Sequence, residues 1–118
     1  MIVHTLFPST VCFFDLVRDL TKKEMNFIMK QKQRPNDGNS TSVNNSLLEN
    51  KTLEKLKTFI SNCFNNYAEN VLRIKEDVSL DITQSWANFT KKGEFHHRHS
   101  HSNSYLSGVF YVKADDKL

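Results

Sequence analysis

His99-Ser100-His101-Ser102-Asn103-Ser104-Tyr105-Leu106-Ser107-Gly108-Val109-Phe110-Tyr111-Val112 is the stretch that decides how this chain reads. Its second half has the β-branched and aromatic composition of a strand. Its first half closes a cluster, His96-His97-Arg98-His99-Ser100-His101, that holds four of the five histidines. Imidazole is the commonest protein ligand for first-row metal ions. In an extended segment residues two apart face the same way, so His99 and His101 can converge on one ion. These two are the candidate metal ligands. Asn103, a neutral oxygen donor two residues on, competes for the second place. The bland alternative is a polar loop that binds metal adventitiously, with His96 and His97 as bystanders.

Upstream, Val78, Leu80, Ile82, Gln84, Trp86 and Asn88 alternate with Ser79, Asp81, Thr83, Ser85, Ala87 and Phe89. The period of two predicts a long strand, with Trp86 in the core. Lys91-Lys92-Gly93 then turns the chain toward the histidines. Further back, Leu53, Leu56, Phe59, Ile60, Cys63, Phe64, Tyr67, Val71 and Leu72 recur at helical spacing and predict one long amphipathic helix. Thr21-Lys22-Lys23-Glu24 has the form of a capping box and predicts a helix over about 21–33, stopped by Arg34-Pro35-Asn36-Asp37-Gly38. Residues 39–46, nearly all Asn, Ser and Thr, read as an exposed loop. Ile2 to Phe7, ended by Pro8, reads as a short strand.

The chain has 118 residues, enough for a single domain. With 38% hydrophobic and 25% charged residues it can pack a small core. A net charge of +3 without a basic stripe argues against nucleic acid. No apolar run has the length of a membrane span, and no signal segment is evident, so the cytoplasm is the expected compartment. Cys12 and Cys63, each among Phe residues, read as reduced, buried thiols. Helices first and strands afterward give an α+β chain, with 1–76 holding a strand, two helices and a 35–50 polar loop, and 77–118 holding sheet strands and the His-x-His motif.

Gly93-x5-His99-x-His101 resembles the opening of the cupin metal motif, although Tyr105 and Leu106 stand where cupins place a Glu. The closer resemblance is to a 2-oxoglutarate/Fe(II) oxygenase family met in marine bacteria and their phages. It is carried by Leu6-Phe7-Pro8, by Ser85-Trp86-Ala87-Asn88 with Gly93, and above all by the run from His99 to Val112. The resemblance implies N-terminal helices packed on an incomplete double-stranded β-helix sheet of jelly-roll or cupin-like form. It also implies Fe(II) and 2-oxoglutarate as cofactors, hydroxylation of a substrate C–H, and a phage protein's place in the host cytoplasm. His99 and His101 correspond to the family's His-x-Asp/Glu metal motif, with His101 in the carboxylate position. Tyr111 and Asn88 are candidate cofactor-binding residues, and hydrogen bonding within a barrel wall is the plainer role for both.

The family's distal His and its 2-oxoglutarate-binding Arg lie beyond a strand of this type, so the chain reads as the N-terminal portion of such a domain. Two alternatives follow: a cupin-like metal-binding module, or an inactive fragment. Unpaired strand edges would favour self-association in the latter case. The substrate is not legible.

Overall fold

The computed structural model describes residues 9–75 and 77–114. The strand expected at residues 2–7 lies outside these. Helix α1 (Lys22–Met29) starts where the capping box places it. The Glu24 amide donates to Thr21 Oγ1 at 3.2 Å, and the Thr21 amide donates to Glu24 Oε2 at 2.8 Å. Each side chain thereby satisfies an amide that the first turn leaves without a helical partner. Arg18 closes on the same carboxylate with both terminal guanidinium nitrogens, at 2.8 and 2.6 Å. Glu24 is buried, and the Arg18 fork holds its carboxyl down to a pKa of about 2.

The helix ends earlier than the sequence pattern predicts. Gln31 folds back to donate to the Phe27 carbonyl at 3.0 Å, and the chain leaves as strand β1 (Gln33–Asn36). Strand β2 (Asn39–Ser42) returns antiparallel to it, in place of the expected exposed loop. Strand β3 (Asn88–Phe89) pairs with the other side of β2, giving the order β1-β2-β3. Pro35 is tolerated because β1 is an edge strand. The central strand carries polar residues, yet Asn39, Thr41 and Ser42 are buried. Their side chains are paid in hydrogen bonds: Thr41 Oγ1 donates to the Ala87 carbonyl at 3.3 Å, and Ser42 Oγ donates to the Asn44 carbonyl at 2.7 Å while accepting from the Ala87 amide at 3.1 Å.

Two 3₁₀ turns, Leu47–Glu49 and Lys51–Leu53, lead into helix α2 (Glu54–Asn70). The core sits where these elements meet, with Ile28 from α1, Leu47, Leu48 and Leu53 from the turns, and Leu56 from α2. Ile82, Ala87, Phe110 and Val112 cover it from the C-terminal segments. The fold is therefore α+β, with helix packed on helix through the 3₁₀ turns.

The long strand expected at 78–89 is reduced to β3 and one isolated parallel bridge, Ser46 to Ser85. Its inward face also shifts, because Leu80 and Ile82 are half-buried first and Ser85, Ala87 and Phe89 afterward. The cause is the partner: the amides of Leu47 and Ser85 bond to the carbonyls of Ser85 and Asn45, fixing that register. Trp86 and Asn88 consequently face outward. Residues 104–112, expected as a strand, carry no ladder among the described residues. Cys12 is exposed rather than buried; Cys63 is half-buried, and burial pushes its thiol up. No helix among the described residues is long and apolar enough to cross a membrane.

Candidate metal centre

The turn Lys92–Gly93 delivers the chain from β3 to the histidines, with Gly93 in the left-handed region at φ 85°. The four imidazoles then gather on one another. The centroid of His99 lies 4.8 Å from those of His96 and His97 and 4.7 Å from that of His101. Trp86 flanks the group at 5.5 Å from His101, inclined by 44°, which is a different place from the core position its sequence pattern suggests.

The decisive contact is between His99 Nε2 and His101 Nε2, 3.1 Å apart. His99 Nδ1 lies 2.9 Å from the His97 carbonyl oxygen. A carbonyl can only accept, so Nδ1 carries the proton and Nε2 of the neutral ring is bare. In the contact between the two rings His101 Nε2 is therefore the donor. A carbonyl on the far nitrogen is the arrangement by which proteins orient metal-bound imidazoles. Two ring nitrogens 3.1 Å apart also span the gap between neighbouring ligands on an ion held at about 2.0–2.1 Å. The pair thus fits two adjacent positions of a first-row ion. Among the described residues no group of three or more His, Cys, Asp or Glu completes the set.

The other two rings are committed elsewhere. His97 Nδ1 donates to the Asp37 carbonyl at 3.1 Å, and His96 Nδ1 accepts from the Asn39 side-chain amide at 3.1 Å. Partial desolvation lowers the His96 imidazole from its usual range, with the neighbouring rings of His99, His97 and His101 adding to the effect. Asn103 lies in the turn after His101 and makes no hydrogen bond to either ring among the described residues. Asn88 sits opposite Thr41 on β3, and Tyr111 is exposed. No hydrogen bond joins either to the His pair among the described residues.

Sequence reasoning missed the hairpin residues Asp37, Gly38 and Asn39, which hold the histidine segment. The Asp-Gly dipeptide was the available signal, since it marks two-residue hairpin turns.

Residues 84–118, the last third of the chain, match the model of a family described as "Putative 2OG-Fe(II) oxygenase". The match includes the whole histidine segment and the Tyr-rich run after it. Comparison with curated proteins gives no match, and comparison with solved structures gives none.

Proposed function

We propose that this chain carries the first metal-binding motif of an Fe(II)/2-oxoglutarate oxygenase of hydroxylase type, with His99 and His101 as neighbouring ligands to Fe(II). The observation that carries the reading is the 3.1 Å approach of the two Nε2 atoms inside the segment that matches the oxygenase family. When bound, Fe(II) with 2-oxoglutarate would supply, with dioxygen as the oxidant, the chemistry for C–H hydroxylation. The chain's own residues do the positioning. The His97 carbonyl keeps the proton on His99 Nδ1, and Trp86 flanks His101. Tyr111 and Asn88 are the proposed contacts to 2-oxoglutarate.

The third ligand and the cation that pairs with the 2-oxoglutarate carboxylate are to be sought outside the described residues. Reading the nucleotide sequence beyond the Leu118 codon tests that part. A frame continuing into a distal His and a downstream Arg supports it, whereas an immediate stop contradicts it. In the protein, anaerobic addition of Fe(II) and then 2-oxoglutarate should produce a weak visible charge-transfer band. Iron binding with a spectrum that 2-oxoglutarate leaves unchanged would instead favour a cupin-like metal module.

A further inference from the structure

We infer that the Asn36–Asn39 turn of the β1–β2 hairpin is the positioning element of the His99–His101 pair, acting through residues 95–97. The inference rests on the reading of those two rings as ligands and adds residues that no family resemblance supplies. The turn meets the histidine segment at three points. The Gly38 carbonyl accepts from the Phe95 amide at 3.0 Å. The Asp37 carbonyl accepts from His97 Nδ1 at 3.1 Å, and the Asn39 amide donates to His96 Nδ1 at 3.1 Å. Asn39 is itself buried and fixed, accepting from Asn36 Nδ2 at 2.9 Å and donating to Thr90 Oγ1 at 3.0 Å.

Gly38 shows how close the approach is. It takes φ +81°, and a Cβ there would stand 2.5 Å from the Phe95 carbonyl oxygen and 2.8 Å from its ring. Only glycine permits both the backbone conformation and the contact.

His97 is the link from this turn to the metal pair. The hairpin holds its ring, and its carbonyl receives the His99 Nδ1 proton at 2.9 Å. Moving residues 95–97 therefore moves the carbonyl that keeps His99 Nε2 bare. The His99 ring then loses its fixed tautomer, and the pair its preset spacing.

The test uses the full chain as wild type, Gly38→Ala and Asn39→Ala, with folding checked by far-ultraviolet circular dichroism. Ring ¹⁵N NMR of the metal-free protein, at a pH about two units above the imidazole range, reads the His99 tautomer. Co(II) titration, followed by its visible absorption, reads the pair. Wild type is expected to show His99 in the single Nδ1-protonated form, and the variants a mixture of forms. Loss of the orienting contact should weaken Co(II) binding about 10–100-fold. Folded variants with wild-type tautomer and wild-type Co(II) affinity would overturn the inference while leaving the ligand assignment intact. A wild type that binds no Co(II), but whose His99 tautomer scrambles in the variants, would sustain the hairpin's role and sink the ligand assignment. Unfolding of both variants would assign the turn to general stability and also overturn the inference.

Discussion

At His99 the backbone decides which ring nitrogen is bare, because the His97 carbonyl facing Nδ1 has no proton to give. That choice makes the two histidines unequal. His99→Ala removes the ring already set for a metal and should abolish Co(II) or Fe(II) binding. His101→Ala leaves one oriented imidazole and should weaken binding by at least about tenfold, a difference that parallel titrations would resolve. The His-x-His spacing made this pair legible in the sequence, since alternation alone aims both side chains to one side. The proton arrangement was not legible, because it depends on a carbonyl and on a hairpin some sixty positions away. Glu24 supports a second prediction at this scale. Its pKa is lowered from 4.5 to about 2 by the Arg18 and Thr21 hydrogen bonds. Its contribution to stability is therefore complete above pH 4.5 and is lost as pH falls from there toward 2. Acid titration followed by circular dichroism should show helix loss in that window, and Glu24→Gln should flatten it.

Among the elements, the two helices were readable because their signals are local. The capping box spans four residues, and the apolar stripe of α2 repeats every three or four. The central strand β2 was not readable. Asn39, Thr41 and Ser42 have the composition of a loop, and what buries them is hydrogen bonding to Ala87, Thr90 and His96, which no local pattern encodes. The strand expected at 78–89 failed for the converse reason. Its alternation is real, but the Ser85 pairing with Asn45 and Leu47 sets a register that turns Trp86 and Asn88 outward. A third prediction belongs here. Leu53 is 1% exposed at the junction of the 3₁₀ turns with α2, so Leu53→Ala should cost about 2–5 kcal/mol in denaturant unfolding. A cost under 1 kcal/mol would mean that the junction is not the centre of the core.

For the whole molecule, the segment after His101 alternates in exposure as a strand does, yet carries no strand ladder among the described residues. Leu106, Phe110 and Val112 are half-buried, while Tyr105, Val109 and Tyr111 are 73%, 79% and 78% exposed. No backbone–backbone hydrogen bond engages residues 105–114 among the described residues. An exposed apolar segment with unpaired backbone groups is open to pairing with another strand. Sedimentation of the isolated chain should accordingly show association that Val109→Lys suppresses; a clean monomer of the wild type would contradict this. The resemblance to the oxygenase family was visible in the sequence through the same run that the family model matches, whereas the sheet among the described residues is a three-stranded antiparallel one built on a hairpin that no local pattern announced. The most direct test of the central claim is an anaerobic Fe(II) titration of the full chain, with and without 2-oxoglutarate, against His99→Ala. The account predicts iron binding that is lost in the variant, with 2-oxoglutarate adding a visible charge-transfer band once the carboxylate-pairing cation is supplied. Iron binding that is indifferent to His99→Ala, or no iron binding at all, would contradict it.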